Sequence, residues 1–150
     1  MGFNIRHATV EDVSLILAFI KGIAEYEKLL HEVEATETML AENLFGNNPA
    51  AHVIIAFEED IPVGFALYFY NFSTFRSKKG LYLEDLFVWP EHRGKGYGKA
   101  LFSQLLERAK ESGCGRMEWS VLNWNQPAID FYVSFGAIPM NGWTTFRITI

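Results

Sequence analysis

The spacing of apolar residues changes along the chain from a helical period to a strand period, then alternates between the two. Val13, Ile16, Leu17, Ile20 and Ile23 recur at helical spacing, and Thr9-Val10-Glu11-Asp12 before them has the form of a capping box. The pattern predicts a short strand opened by Ile5 and a first helix that runs out near Ala24. An acid-rich connection through Glu32 and Glu34 follows, and Thr36 can cap a second, shorter helix ending near Gly46. After Asn47-Asn48-Pro49 the period becomes two. Residues 53–57, a turn at 58–60 and residues 63–70 predict a hairpin, with Gly64 a candidate bulge. Residues 71–80 read as a polar connection carrying Phe72 and Phe75, which either line a pocket or pack back onto the sheet.

The most informative stretch comes next. Tyr82 to Val88 is apolar and β-prone except for the adjacent carboxylates Glu84 and Asp85, and Trp89-Pro90 ends the run because proline cannot continue a ladder. Gly94, Gly96 and Gly98 follow at alternate positions, then Phe102, Leu105, Leu106 and Ala109 at helical spacing, predicting a helix to near Gly113. A bare strand-to-helix turn usually needs one glycine. Three, flanked by Arg93, Lys95 and Lys99, mark a backbone cradle for phosphate at a helix N-terminus. The nucleotide-triphosphate loop does not fit: the span from Gly94 to Gly98 is one residue short, and Ala100 after Lys99 leaves no hydroxyl for magnesium. The dinucleotide pattern fails too, because Lys99 stands where its third glycine belongs. What is present is R-x-x-G-x-G.

Residues 116–121 predict a fifth strand. Asn123-Trp124-Asn125-Gln126 then leads into Pro127, a favoured early helix residue, and a helix carrying Ile129, Phe131, Tyr132 and Phe135. Gly136 suits a left-handed cap, and residues 143–150 alternate as a last strand. The order β-α-α-β-β-β-α-β-α-β implies a mixed α/β sheet with helices on its faces, in one domain spanning 1–150. At 49% hydrophobic and 15% aromatic, 150 residues can bury a single core. No apolar run approaches the ~18 residues of a membrane span, and the start lacks a signal-peptide core, so a cytosolic, membrane-free protein is expected. A formal charge of -5 argues against nucleic-acid binding. His7, His31, His52 and His92 show no paired ligand spacing, so no metal is expected; the one cysteine, Cys114, reads as a loop or core residue.

Two motifs then coincide: Arg93-x-x-Gly96-x-Gly98 with its preceding YLEDLFV strand, and Asn125-x-Pro127-Ala128-Ile129-x-Phe131-Tyr132-x-x-x-Gly136. Together they resemble the GCN5-related N-acetyltransferases (GNAT). The opening IRHATVEDV, the AEYEKL segment and the ending GW-x-x-F-R are similar to the diamine N-acetyltransferase subfamily, which includes spermidine/spermine and thialysine acetyltransferases. The resemblance implies the GNAT fold, with a mixed, mostly antiparallel sheet flanked by helices, and acetyl-CoA as co-substrate. By it, Leu86, Phe87 and Val88 would hold the pantetheine arm, and Arg93, Gly94, Lys95, Gly96, Tyr97, Gly98 and Lys99 the pyrophosphate. Asn125, with Pro127 and Ala128, would meet the coenzyme near its thioester, and Tyr132 would face its sulfur. The amine would lie among Tyr26, Glu27, Glu84, Glu118, Trp119, Ser120, Asn141 and Trp143, and the subfamily implies a homodimer. Two departures stand out: Asn141 replaces an acid common before Gly-Trp, and the STF run at 73–75 replaces an acid-containing loop.

Residue chemistry leads toward the same reaction. An aliphatic amine titrates near 10, so about one molecule in a thousand is the free nucleophile at neutral pH, and a base must take its proton. Glu84 is placed to do so, directly or through water; its alternative is to cap the strand or pair with a basic side chain. Tyr132 reads as a core aromatic by spacing alone, and as a hydrogen-bond donor to the leaving thiolate by its motif. The expected activity is acetyl transfer to a small cationic primary amine: a diamine, a polyamine or, since acids are missing at Asn141 and the STF loop, a short lysine-like amine such as thialysine. A GNAT acting on a protein or peptide amine and a non-catalytic acyl-CoA sensor are the alternatives.

Overall fold

The computed structural model describes residues 2–150, which divide into two units, 2–119 and 120–150. In the first, five strands pair in the order β1-β2-β3-β4-β5: β1 (Phe3–His7), β2 (His52–Glu58), β3 (Ile61–Ser73), β4 (Lys78–Val88) and β5 (Arg116–Glu118). The first three pairings are antiparallel, and β4 with β5 is parallel. A parallel neighbour requires a crossover, which α3 (Tyr97–Glu111) supplies between those two strands. The helices α1 (Val13–Tyr26) and α2 (Glu37–Phe45) lie between β1 and β2 in the chain.

The capping box forms as the sequence predicts: the backbone N–H of Thr9 donates to Asp12 Oδ2 at 2.8 Å, and Arg6 donates to the same carboxylate at 2.8 Å. Thr36 Oγ1 accepts from the Met39 N–H at 3.2 Å and caps α2. One face of the sheet buries Val53, Ile55, Phe65 and Phe87 against Ile16 and Phe19 of α1 and Leu44 of α2. The Phe19 ring stacks on Phe65 at 4.8 Å and on Trp89 at 5.1 Å. Alternate residues Ile54, Ala66 and Leu83 are buried on the opposite face, where α3 buries Leu101, Phe102, Leu105 and Ala109.

Four expectations change. The polar connection at 71–80 shrinks to a turn: β3 continues to Ser73 and β4 begins at Lys78, because this end of the hairpin is exposed and polar residues satisfy a solvated ladder as well as apolar ones. Ser77 turns the chain at φ 52, while Phe72 and the fully exposed Phe75 do not pack back onto the sheet. The fifth strand stops at Glu118 rather than Val121, since β4 offers it register partners only from Gly80 to Tyr82. In the second unit, residues 143–150 alternate in sequence but form no strand, and their side chains, including Trp143, Phe146, Ile148 and Ile150, are exposed. Alternation gives one face per side, but a strand also needs a ladder partner, and none pairs with this segment among the described residues. That unit's helix is α4 (Gln126–Ser134), followed by Gly136 at φ 87 as expected. The bulge expected at Gly64 falls one residue earlier, where Val63 is the extra residue against Ala56 and Phe57. No helix is long and apolar enough to cross a membrane among the described residues.

Candidate functional site

The site in the first unit grows from an irregularity in β4. Leu67 pairs with Asp85 and Tyr68 with Leu83, so Glu84 is an extra residue bulged out of the ladder. With Glu84 paired in an unbroken ladder, Leu81, Leu83, Asp85 and Phe87 would share a face. The bulge exchanges the faces instead: Leu83 stays opposite Tyr68, whereas Asp85 and Phe87 pair with Leu67 and Phe65 on the α1 side. There the C-terminal end of α1 brings Glu27. Its approach depends on Gly22, where an added Cβ would lie 2.7 Å from the Trp89 ring and 2.9 Å from the Phe87 ring.

Three carboxyls therefore act on one another. Glu84 is exposed, Glu27 is partly buried, and burial pushes the Glu27 carboxyl up. Asp85 as a residue is partly exposed, yet its carboxyl is set deep. Burial first, then the charges of Glu84 and Glu27, carry it from 3.8 to about 7. No three acidic, histidine or cysteine side chains among the described residues converge closely enough to hold a metal. The sequence singled out Glu84 and missed Asp85. The signal was the adjacent pair itself, but only the bulge decides which member is buried.

Beyond Tyr82 the edge of β4 that faces β5 has no strand beside it among the described residues, although β4 continues through Leu86, Phe87 and Val88. A main chain with a free ladder edge can receive an extended amide-bearing arm. Past Trp89, a turn at Pro90–His92 leads to Gly94 at φ 81 and Gly96 at φ 86. Both are left-handed, with open space where a Cβ would project. Gly96 is the N-cap of α3, so the first-turn N–H groups of Tyr97, Gly98 and Lys99 lack intrahelical acceptors and face outward with the helix dipole behind them. Gly98 is an ordinary helical residue, and the Tyr97 ring stacks on Phe3 at 5.3 Å, leaving its backbone for a ligand. Lys95 and Lys99 are exposed beside this turn. These features fit a pyrophosphate followed by an amide-bearing arm.

Arg93 differs from its expectation. Its Nε donates to the Val88 carbonyl at 2.9 Å, and its guanidinium lies 4.8 Å above the Tyr26 ring and 5.5 Å from the Phe87 ring. Glu118 pairs with Arg116 at 3.2 Å, and Trp119 meets Phe102 edge-on at 5.1 Å. In the second unit, buried Asn125 caps α4 by accepting from the Ala128 N–H at 3.4 Å, with Pro127 in the first turn. Tyr132 is partly buried, its ring 5.4 Å from Phe131. Ser120, Asn141 and Trp143 of the same unit are exposed.

Comparison with known proteins adds to this geometry. The model of the acetyltransferase (GNAT) family matches residues 20–137. The chain is 37% identical over 156 residues to a thialysine N-epsilon-acetyltransferase of Sus scrofa, covering 95% of this chain and 90% of that protein. It is 32% identical over 191 residues to an L-ornithine N5-acetyltransferase of Arabidopsis thaliana, covering 97% and 84%. Among solved structures, an integron cassette protein from the mobile metagenome of V. cholerae superposes with a TM-score of 0.82 at 29% identity, covering 99% of this chain and 93% of that one.

Proposed function

This chain belongs to the GNAT family of acetyltransferases, and on that premise we propose that it moves the acetyl group of acetyl-CoA onto the side-chain amine of a small, lysine-like cation. The observation that carries the substrate class is the mutual charge of Glu27, Glu84 and Asp85 at the open end of β4. A cation entering there relieves repulsion that the protein otherwise bears. The relatives named for thialysine and L-ornithine support a short amino acid over a long polyamine, as do Asn141 and the STF loop.

Acetyl-CoA supplies the thioester. The N–H groups from Gly94 to Lys99, with Lys95 and Lys99, hold its pyrophosphate, and the free edge along Leu86, Phe87 and Val88, where the Leu86 N–H and carbonyl and the Val88 N–H point outward, holds its pantetheine amides. Asn125, Pro127 and Ala128 at the start of α4 meet the arm near the thioester. Glu84, Glu27, Tyr26, Glu118, Trp119, Ser120, Asn141 and Trp143 bind the amine. Glu84 attracts the ammonium, and the proton leaves the nitrogen for the carboxyl cluster. Within that cluster Asp85, at about 7, is better matched to neutral solution than an ordinary aspartate. Tyr132 donates a hydrogen bond to the departing sulfur. The whole chain acts as one catalytic domain, a homodimer in the cytosol.

The test is a thiol-release assay with acetyl-CoA and a panel of amines. Thialysine and ornithine should turn over fastest, with Glu84→Gln slowing every amine and Glu27→Gln penalising dications more than monoamines. Turnover of peptide amines alone would establish the second reading. Coenzyme binding without turnover of any amine would establish a sensor.

A further inference from the structure

In the R-x-x-G-x-G motif the arginine is the side chain expected to meet phosphate. Here it turns away from the glycine turn. Arg93 Nε is spent on the Val88 carbonyl at 2.9 Å, and the flat of its guanidinium covers Tyr26 at 4.8 Å. Trp89 N–H bonds Val63 on the β3 side, and the Phe87 carbonyl also points there, 2.6 Å from where a Gly64 Cβ would be. Carbonyls alternate along a strand, so that of Val88 points to the other edge, the one left free beyond Tyr82. Arg93 therefore bridges the end of β4 and the end of α1, two elements that carry different halves of the site. The exposed lysines Lys95 and Lys99 remain beside the glycine turn to supply positive charge.

We propose that Arg93 is a positioning residue of the amine site: its guanidinium, fixed to the Val88 carbonyl, holds the Tyr26 ring against the end of β4, and the phosphate charge falls to Lys95 and Lys99. The inference rests on the acetyltransferase reading for its two ligands. The bridge needs a planar group that donates from Nε while presenting its face to a ring. Lysine keeps the charge but has neither property.

The experiment compares Arg93→Gln, Arg93→Lys and Lys95→Gln, measuring coenzyme A binding by calorimetry and the KM and kcat for thialysine. Both Arg93 variants should raise the amine KM about two- to five-fold, the worth of a cation–π contact at an exposed site. They should leave coenzyme affinity within twofold, while Lys95→Gln weakens it. In Tyr26→Leu the further change Arg93→Gln should add nothing to the amine KM, because the arginine acts through that ring. If Arg93→Gln loses coenzyme affinity and Arg93→Lys restores it, Arg93 is a phosphate ligand and the inference is wrong; this arm needs no amine. Equal, additive losses in the Tyr26 and Arg93 variants would also overturn it. Failure of wild-type protein to bind coenzyme A would instead refute the parent reading.

Discussion

Replacing Asp85 by asparagine should make the protein more stable and less active. The side chains are nearly isosteric, so the change removes a charge with little change in volume. Burial and the neighbouring charges of Glu84 and Glu27 carry the carboxyl from 3.8 to about 7. Each tenfold change in that equilibrium is worth about 1.4 kcal/mol, so ionised Asp85 costs the fold on the order of 4 kcal/mol. The sign follows from where the proton sits. The native state holds it more tightly than the unfolded chain, so the cost is complete above about pH 7 and fades as pH falls toward 3.8. Urea unfolding of both proteins at pH 8 and pH 4 reads it directly. The variant should lead by about 4 kcal/mol at the higher pH, equivalent to roughly 10 °C in Tm for a chain of this length, and by less than about 1 kcal/mol at the lower. Turnover should fall, since a group held at a cost to the fold is kept for its chemistry. Equal stability gaps at the two pH values would refute the reasoning, because a gap from packing alone does not titrate.

The remaining predictions concern other parts of the chain. His7 Nε2 lies 2.8 Å from Arg108 Nη2, and burial first, then Arg108 and His52, hold the imidazole below 6.5. Neutral His7 thus supports the fold above that value and loses its contribution as pH falls through the native one; His7→Gln should lose stability less steeply than wild type between pH 7 and 5 by fluorescence-monitored unfolding. Parallel slopes would discount the contact. Gly96→Val places a branched residue at φ 86, and should weaken coenzyme A binding in calorimetry while costing about 1–2 kcal/mol of stability. Unchanged affinity in a folded variant would remove the turn from the site. Tyr132→Phe should keep coenzyme affinity and lower kcat, because the lost donor is used mainly as the thiolate forms; unaltered kcat with chemistry rate-limiting would make Tyr132 a packing residue.

Local rules gave most of the elements. Periodicity and capping chemistry locate α1, α2, α3 and α4 to within a few residues, and the glycine spacing locates the turn before α3. The rest depended on partners. Residues 143–150 have the alternation of a strand and lack a ladder, while residues 71–80 have the polarity of a loop and gain one. The site divides the same way. Residue types pointed to Glu84 and to the glycine turn, but the importance of Asp85 comes from an extra residue in β4 that no count along the sequence discloses. Arg93 was legible as a cation beside glycines; that it reaches Val88 and Tyr26 instead depends on α1 closing against the end of β4 at Gly22.

The bulge at Glu84 also sets which genetic changes this strand can survive. Substitution there alters one exposed side chain. Deletion would be absorbed in the same place: Leu83 and Asp85 would become consecutive opposite Tyr68 and Leu67, an unbroken ladder in which Phe87, 5% exposed, keeps its place in the α1 core. The costly change is to close the bulge without losing a residue: with Glu84 drawn into the ladder opposite Leu67, Asp85 would turn beneath α3 and Phe87 would leave the α1 core, a loss of about 1.5–3 kcal/mol for that ring alone. Related chains can therefore diverge both in which residue stands at this position and in whether one stands there at all. New amine preferences are open to point mutation at the bulge, and loss of its single codon changes the charge of the site while sparing the sheet.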